Sequence, residues 1–394
     1  MTRLLVLTPR FPYPPVGGDR TRIYHLCRSL SSEFELTLLS LCESEREMAY
    51  TAPNDGIFSR IERVLHPPSR AVMGCLKALP SGIPFQVGFY SNAQFARRVE
   101  ELVPSHDLVL AHLIRTGNYL RRCKIPKILE MTDAISLTYK RGGGMNVYKG
   151  LRSFAFRWEA KRLLKYERSI VERFDSCVLV SAVDRDFLFP NQANQRIRIC
   201  PNGVETDRLP YQYSPDGRTI VFIGNNTAMH NADGILYFVK YVLPRVRARM
   251  PQIQFKVVGR IRENLKRSLE LEPGVLVTGT VASIPETVRE ASVAVCPIRF
   301  GAGVQNKILE YFSLGIPTIS SPIGLEGLTA EPGIHLMVAT TPEEWTAKIL
   351  ELLTDSGVSL SLSMNARRLT ENEYSWTSQL APFHAEIREL TKNI

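Results

Sequence analysis

The sequence predicts an α/β protein of two domains, each built on a doubly wound parallel sheet. Its 394 residues suit two domains of ordinary size, and its 44% hydrophobic and 22% charged residues are typical of soluble globular proteins. Apolar strands alternate with amphipathic helices in two series, which begin at Leu4 and at Ile220. Loops rich in glycine, proline or asparagine follow the first strand of each series, at the edge where such sheets bind ligands.

The first series opens with a β-α-β unit. A strand at 4–8 precedes a proline-rich loop at 9–18 and a helix with an apolar period of 3.6 residues, which we expect Asp19 to cap. A second strand follows at 36–41. Gly17 and Gly18 are candidates for backbone contact with a ligand phosphate, although a turn with positive φ explains either glycine equally well. Arg22 lies in the first helical turn.

Two later strands are each followed by a titratable side chain that is a candidate for binding or catalysis. The weak pattern from 43 to 93 is interpreted as helices and loops. A strand at 107–111 leads to His112, and a strand at 128–131 leads to Thr132 and Asp133. His112 is either a ligand-binding group or a structural histidine. Asp133 either accepts a proton from a ligand hydroxyl or binds the ligand, or it caps the following turn.

Residues 148–174 predict one long basic helix. Its inward stripe of Leu163, Tyr166 and Ile170 favours a solvated helix that covers the sheet, while its charge also suits a membrane surface or a phospholipid acceptor. Strands at 177–180 and 196–200 follow it. A polar linker at 210–218 then separates the domains.

The second series contains strands at 220–223, 255–258, 275–278, 294–297 and 318–320. Its first helix is predicted at 232–241, after a loop of glycine and asparagine that starts at Gly224. Three helices, at 345–353, 361–370 and 374–392, end the chain.

Residues 294–328 form the stretch on which the functional prediction depends. A loop with Gly301 and Gly303 runs from a strand into a helix at 305–314, which carries Lys307 and Glu310 on one face. Unpaired N–H groups at the helix start, its positive dipole end and the nearby glycines suit a phosphate. Arg299 and Lys307 add positive charge. The alternative is an ordinary strand-to-helix turn with a solvated lysine.

A family resemblance adds to this interpretation. The pattern Arg-x-Gly-x-Gly-x-x-x-Lys-x-x-Glu from Arg299, followed by Leu-Gly-Ile-Pro and Gly-Leu-Glu-Gly-Leu, resembles the donor site of family 4 retaining glycosyltransferases. These enzymes use nucleotide sugars and have the GT-B fold. The segment Arg-Phe-Pro-Tyr-Pro-Pro from Arg10, with Gly-Asp and Arg-x-Tyr-His-Leu-x-Arg-x-Leu after it, is similar to sugar transferases of bacterial exopolysaccharide clusters. Those members act on growing, lipid-linked glycans.

The resemblance implies two Rossmann-like domains that face each other across a cleft. Pro-Asn-Gly-Val-Glu at 201–205 is similar to the segment that joins the domains in this family, and the last helix of relatives returns to the first domain. We therefore place an acceptor-side domain at 1–205 plus 375–394 and a donor domain at 206–374.

The resemblance also implies roles for individual residues. Arg299 and Lys307 would neutralise the donor diphosphate, Glu310 would bind the ribose hydroxyls, and main chain at Val281 would contact the base. Asp133, near the position of a sugar-binding histidine in many relatives, joins the two cations as a candidate catalytic residue. The remaining donor-side candidates are Gly17, Gly18, Asn202, Gly224, Gly301 and Gly303. The acceptor-side candidates are His112 and Arg22, and the helices and loops of 43–93 would lie near the acceptor.

The chain departs from the family pattern in two further places. The loop after Gly224 lacks the arginine and lysine that relatives use for the diphosphate, and has Asn225, Asn226, His230 and Asn231 instead. Ala302 stands where the first member of a glutamate pair is common. Diphosphate neutralisation is therefore expected to depend on Arg299 and Lys307.

The charge distribution limits the possible classes of partner, and the cysteine content indicates the cellular compartment. Residues 1–205 hold 30 Lys and Arg against 20 Asp and Glu, while the remainder holds 19 of each, so the whole net charge of +10 lies in the first half. A phosphorylated substrate or an anionic membrane fits this half, and no nucleic-acid module is recognisable. Seven cysteines without Cys-x-x-Cys, and no apolar run of about 20 residues, predict a cytoplasmic protein that is at most peripheral on the inner membrane face.

The leading hypothesis is a metal-independent, cofactor-free retaining hexosyltransferase. It would move a sugar from a nucleotide-diphosphate sugar to a hydroxyl of a growing, lipid-linked bacterial polysaccharide. The alternatives are a nucleotide-sugar epimerase of the same architecture and a non-catalytic nucleotide-sugar-binding protein. A dinucleotide dehydrogenase is disfavoured because neither strand-helix turn contains Gly-x-Gly-x-x-Gly.

Overall fold

A computed structural model describes residues 2–144, 151–190 and 194–392, with side chains from 153 onward in the helix that begins at 151. The chain divides into two compact units, one formed by Met1–Pro201 with Leu380–Ile394 and the other by Asn202–Gln379. Each unit contains one parallel sheet flanked by helices, which confirms the predicted fold class.

The sheet of the first unit has the strand order β3-β2-β1-β4-β5-β6-β7 and is parallel throughout its described pairs. Since the order reverses between β1 and β4, the carboxyl ends of these strands flank the expected ligand position. The strands are β1 Thr2–Thr8, β2 Phe34–Cys42, β3 Arg60–Leu65, β4 Leu108–His112, β5 Lys127–Thr132, β6 Ser176–Leu179 and β7 Ile197–Ile199.

Strand β3 corrects the prediction of only helices and loops between 43 and 93. It lies at the sheet edge, where side chains face solvent, so the alternation of charged Arg60, Glu62 and Arg63 with Ile61 and Val64 carries little apolar signal. Central β1, in contrast, has a fully buried run from Leu4 to Leu7 and was predicted from it.

Helices pack on both faces of the first sheet. Helix α1 begins with Gly17 as its N-cap and without a side-chain cap, so the prediction that Asp19 caps it was wrong, and Asp19 lies in the first turn instead. Residues 148–150 of the predicted basic helix lie outside the described part of the chain. The helices are α1 Gly18–Leu30, α2 Glu45–Ala49, α3 Pro68–Ser81, α4 Phe85–Gly88, α5 Ala93–Leu102, α6 Ile114–Gly117, α7 Ile135–Gly144, α8 Leu151–Val171 and α9 Ala182–Leu188.

The sheet of the second unit has the order β10-β9-β8-β11-β12-β13, again parallel, with its reversal between β8 and β11. The strands are β8 Thr219–Ile223, β9 Gln254–Val258, β10 Val275–Gly279, β11 Val293–Cys296, β12 Thr318–Ser320 and β13 Met337–Val338. Only β13 was not predicted, since two residues carry no periodic signal.

The helices of the second unit cover its sheet, and the first of them continues through a π-helical segment, Phe238–Val242, into the next. Helix α18 begins in the second unit and ends in the first. The helices are α10 Met229–Tyr237, α11 Leu243–Arg249, α12 Glu263–Glu270, α13 Ile284–Thr287, α14 Asn306–Leu314, α15 Pro322–Leu325, α16 Pro342–Thr354, α17 Ser356–Glu373 and α18 Trp376–Thr391. Across the described residues, every helix is too short or too polar to cross a bilayer.

Candidate functional site

Lys307 is the centre of the candidate donor site in the second unit. It lies in the first turn of α14 and is only 7% exposed. Its Nζ donates to Oδ1 of Asn231 at 2.5 Å and lies 4.4 Å from the centroid of the Phe222 ring. A Cβ at Gly224 would lie 3.1 Å from Asn231 Nδ2 and 3.5 Å from Lys307 Cε. The fold thus brings Gly224, Asn231 and Lys307 together at the reversal between β8 and β11.

The electrostatics around Lys307 suit an anionic ligand. Burial lowers the pKa of Lys307. Burial also raises the pKa of Glu310 to about 7, opposed by the charge of Lys307. The pKa of His230 falls to about 3 because of burial and of Lys307. Among the described residues none donates a hydrogen bond to the Glu310 carboxyl, so that group is available to a ligand hydroxyl.

Arg299 was predicted to neutralise a diphosphate, but in the structure its guanidinium is already paired with a carboxylate. Its Nε donates to Oδ2 of Asp233 at 2.8 Å and its Nη2 to Oδ1 at 2.5 Å, in a bidentate ion pair. The guanidinium carbon also lies 5.0 Å from the centroid of the Tyr237 ring. Since Asp233 already neutralises Arg299, the larger share of any diphosphate charge would fall on Lys307.

The two loop glycines are not equivalent. Gly303 has a φ of 69°, a conformation that favours glycine, whereas a Cβ at Gly301 would meet its nearest atoms only at 3.7 Å. Asn202 is buried, and its Nδ2 donates to Oδ1 of Asn306 at 2.8 Å, so it supports the first residue of α14. Val281 is partly buried and packs against the apolar cluster that contains Val221.

The loop after β8 is held closely by the loop after β9. Gly259 has a φ of 113°, and a Cβ there would lie 2.1 Å from the carbonyl oxygen of Gly224. The Gly224 N–H donates to the carbonyl oxygen of Val258 at 3.0 Å. The backbone beside Lys307 therefore requires a glycine in the neighbouring loop.

A second polar cluster surrounds Glu130 in the first unit. Glu130 lies within β5 and is fully buried. Its carboxylate accepts hydrogen bonds from Arg22 Nε and His112 Nδ1, both at 2.6 Å, and from the Thr132 N–H at 3.0 Å and the Thr132 hydroxyl. Burial alone would raise the pKa of Glu130, but Arg22 and His112 outweigh it and lower the pKa to about 2.

The ionised Glu130 fixes the tautomer of His112. A carboxylate only accepts hydrogen bonds, so Nδ1 of His112 carries a hydrogen, and in the neutral form of the ring Nε2 is then the acceptor. His112 is 2% exposed, and its Nε2 has no hydrogen-bond partner among the described residues. Buried polar atoms are normally paired, so this nitrogen is suited to accept from a ligand hydroxyl.

Arg115 follows His112 closely in the chain, and Asp133 follows the neighbouring strand β5 at the same sheet edge. Burial, and then the neighbouring Asp184, raise the pKa of Asp133 to about 7. Arg115 places its guanidinium carbon 5.0 Å from the centroid of the Tyr90 ring, and its buried Nε has no hydrogen-bond partner in the described part of the chain. A carboxyl group and a guanidinium group therefore accompany His112 at this sheet edge.

The backbone at the ends of β4 and β5 is strained. Leu113, directly after His112, has a φ of 63°, and Thr132, directly before Asp133, has a φ of 64°. Such values are uncommon for residues other than glycine, especially for a β-branched one, and persist where surrounding contacts hold them. Strain on both neighbours supports a functional role for His112 and Asp133.

Arg22, which the sequence analysis assigns to the acceptor side, is fully buried. Besides Glu130 it donates to the carbonyl oxygens of Cys200 at 2.9 Å and Pro201 at 3.2 Å, and it therefore holds Glu130 in position. Gly17 has a φ of 99° as the N-cap of α1, and Gly18 has open space around its Cα.

Sequence reasoning missed Glu130, Arg115 and Asp233. Glu130 was visible as the one carboxylate inside the otherwise apolar Ile-Leu-Glu-Met segment of a predicted buried strand. A buried charge of this kind requires partners, and that signal was available. The pairing of Asp233 with Arg299, 66 residues away, had no local signal. The described residues include no group of three or more His, Cys, Asp or Glu arranged to hold a metal ion.

Part of the second unit matches a known protein family. Residues 217–355 match the family model of Glycosyl transferases group 1. An uncharacterized 44.6 kDa protein in the cps region of Klebsiella pneumoniae is 23% identical over 163 residues, which is 39% of this chain and 42% of that protein. The alignment thus spans less than half the length of that relative.

Two solved structures are similar over the whole chain. Sucrose-phosphate synthase from Thermosynechococcus elongatus superimposes with a TM-score of 0.76 at 14% identity, covering 100% of both chains. HepE from Anabaena, in complex with UDP-glucose, superimposes with a TM-score of 0.70 at 12% identity, covering 98% of this chain and 99% of that one. These structural similarities confirm the predicted GT-B fold, and the match to Glycosyl transferases group 1 covers residues 217–355, which lie in the second unit.

Proposed function

We propose that the protein is a retaining, metal-independent glycosyltransferase. It would transfer a hexose from a nucleotide-diphosphate sugar to a hydroxyl of a growing, lipid-linked bacterial polysaccharide. The observation that carries the proposal is the buried Lys307 beside Gly224 and Asn231, at the strand-order reversal of the segment that matches Glycosyl transferases group 1. The cps-region location of the Klebsiella relative and the UDP-glucose complex of HepE support the polysaccharide and nucleotide-sugar parts.

Lys307 would act on the leaving diphosphate. When the bond between the sugar and the phosphate oxygen breaks, negative charge develops on the diphosphate, and a preorganised cation at a helix N-terminus stabilises that charge. Retention with transfer on one face of the sugar lets the leaving phosphate take the proton of the attacking hydroxyl. Glu310 would bind the ribose hydroxyls, and Arg299 would contribute less than Lys307 because Asp233 is paired with it.

The acceptor would bind at the polar cluster of the first unit. The Nε2 atom of His112 accepts a hydrogen bond from the acceptor hydroxyl, and Glu130, held by Arg22, keeps the ring in the required tautomer. Asp133, with its pKa near 7, would hold the transferred sugar or share the hydroxyl proton. A cytoplasmic location and a peripheral contact of the basic first half with an anionic membrane complete the proposal, since that half carries the whole net charge.

A panel of UDP-, GDP-, dTDP- and ADP-sugars tests donor binding by thermal shift, because a bound ligand raises the melting temperature by mass action. We expect one base to raise it in the wild type without added metal, and to do so far less in Lys307→Ala. A shift that needs a divalent cation would contradict metal independence. An equal shift in both proteins would contradict the role of Lys307.

A nucleotide-sugar epimerase is the second candidate, favoured by the titratable cluster of His112, Asp133 and Glu130. Incubation with donor alone separates the two. A new nucleotide sugar formed without acceptor would establish epimerisation, while transfer to an acceptor with an unchanged donor pool would exclude it. Tight donor binding with neither reaction would indicate a non-catalytic sensor.

A further inference from the structure

Helix α3 has the reverse of the usual distribution of side chains. It buries the small residues Ala71, Gly74 and Ala78. Its large apolar side chains face solvent, with exposed fractions of 60%, 53%, 56% and 49% for Val72, Met73, Leu76 and Leu79. A surface helix of a soluble protein normally buries its large apolar residues, so this exposed α3 face, defined by these four side chains, needs an explanation.

Close packing accounts for the buried side of α3. A Cβ at Gly74 would lie 2.1 Å from the carbonyl oxygen of Gly88, and a Cβ at Gly88 would lie 2.6 Å from the Cβ of Ala78. Only small residues fit between α3 and α4. The fold therefore does not need the four large side chains on the opposite side, since they add little to the core of the first unit.

The exposed α3 face is one continuous strip with cations beside it. At 100° per residue, its four residues fall within one sector of the helix, and Arg70 and Lys77 lie together next to that sector. Both cations are exposed. A strip of large apolar side chains bordered by cations is the pattern of a helix that lies in a membrane interface.

Helix α8 adds a second apolar group next to the end of α3. Arg162 of α8 donates to the carbonyl oxygen of Ala78 at 2.6 Å and lies 4.2 Å from the centroid of the Trp158 ring. Trp158 is 37% exposed, and Phe154, one turn before it, is 63% exposed. Aromatic side chains of this kind favour the boundary between headgroups and acyl chains.

We propose that the exposed α3 face, with Phe154 and Trp158, inserts into the headgroup boundary of an anionic bilayer, while Arg70 and Lys77 contact lipid phosphates. The contact element is then α3 together with two aromatic residues of the basic helix, for which the sequence favoured a solvated surface and left membrane contact as the alternative. It rests on the membrane contact proposed above but not on sugar transfer. Charge favours a bilayer over a second copy of the chain, because the first half already carries a net charge of +10 and two copies would repel each other.

Vesicle flotation of the full chain tests this contact without donor or acceptor. The probes are phosphatidylcholine vesicles with and without phosphatidylglycerol. We expect the wild type to float only with the anionic vesicles, and the partition coefficient to fall about tenfold or more in Met73→Ser/Leu76→Ser and several-fold in Arg70→Gln/Lys77→Gln. Leu271→Ser, which changes an 85% exposed leucine of the second unit, is the matched control and should float like the wild type.

Two results would overturn the proposal. One is unchanged flotation of both double variants while their melting temperatures match the wild type. The other is self-association in sedimentation velocity that the Met73→Ser/Leu76→Ser variant abolishes, since the face would then bind a second copy. Vesicle binding in a protein that transfers no sugar would uphold this inference and contradict only the proposed function.

Discussion

The Nδ1 atom of His112 lies 2.6 Å from Oε2 of Glu130. His112 is the last residue of β4, and Glu130 lies within the neighbouring strand β5. This contact leaves Nε2 as a buried acceptor without a partner among the described residues. The same carboxylate binds Arg22, so a fully buried cation, a carboxylate and an imidazole form one chain of hydrogen bonds. The orientation and tautomer of the imidazole thus depend on two side chains that a ligand does not reach.

His112→Asn tests the acceptor role. The asparagine amide can still donate to Glu130, but the variant lacks the Nε2 acceptor, so we expect kcat of transfer to fall about 10- to 100-fold with the donor-induced thermal shift unchanged. Steady-state kinetics with varied acceptor would measure this. His106→Asn, at another buried histidine of the same unit, should keep its activity. Full kcat in His112→Asn would sink the assignment.

Removal of Arg22 should damage stability more than removal of an exposed arginine. Arg22→Met leaves the buried Glu130 without its strongest partner, which we expect to cost about 3–5 kcal/mol of unfolding free energy. Arg3→Met breaks the ion pair with Asp107, in which the Arg3 side chain is 52% exposed, and should cost less than about 1 kcal/mol. Denaturant titration of both variants compares them. Equal losses would mean that Glu130 does not depend on Arg22.

The two cations of the second unit should differ in donor binding. Lys307→Ala removes a charge whose hydrogen-bond partner among the described residues is the neutral Asn231, so we expect donor affinity to fall by roughly 10- to 100-fold, equivalent to about 1.4–2.8 kcal/mol. Arg299→Ala removes a charge already paired with Asp233 and should lower affinity less. Isothermal titration gives both values, with Lys240→Ala as a control of the same unit. A larger loss in Arg299→Ala would reverse the assignment.

Asp133 predicts a pH dependence of stability. Its pKa is about 7 in the folded chain against 3.8 ordinarily, so the folded state holds a proton that the unfolded state has lost between these values. Unfolding free energy should therefore fall as pH rises from about 4 to about 7. Asp133→Asn should flatten this slope and raise the melting temperature above pH 7. Asp186→Asn, at a side chain that is 65% exposed, should leave the profile unchanged.

Glu167, like Asp133, should make the unfolding free energy fall as pH rises. Burial raises its pKa to about 8 from an ordinary value of 4.5, although hydrogen bonds from Ser136 oppose the rise. Its contribution should extend the loss of stability to a slightly higher pH, so Asp133→Asn alone should not remove the slope completely. Melting curves of Asp133→Asn across this range would show the residual slope. A completely flat profile would contradict the assignment to Glu167.

The strands that form the two sheet centres could be predicted because burial on both faces makes them continuous apolar runs, as in Leu4–Leu7. The position of Lys307 at a helix start followed from a local pattern of glycines and periodicity. The partners of Arg299 and Arg22 could not be predicted in this way. Arg22 and Glu130 are 108 residues apart and meet only because β5 lies two strands from β1.

Surface properties were the least predictable. The sequence drew attention to the basic helix, where Leu163 and Ile170 are indeed buried in the described part. In α3, Val72 and Leu76 look like core residues by composition. Their exposure follows from Gly74 and Gly88, whose close approach decides which side of the helix faces inward. Such a contact between two helices has no trace in the local periodicity of either one.

The close approach of Gly259 to Gly224 means that the loop after β9 limits the backbone position in the candidate donor site. Any side chain at 259 would occupy the space of the Gly224 carbonyl oxygen and would force Gly224 to move. Because Gly224 lies beside Lys307, that movement would change the surroundings of Lys307. A Gly259→Ala variant should therefore change donor affinity while altering no group that touches the donor. The tolerance of this site to engineering is thus limited by a residue outside its motif, and redesign of donor choice would have to keep both glycines fixed.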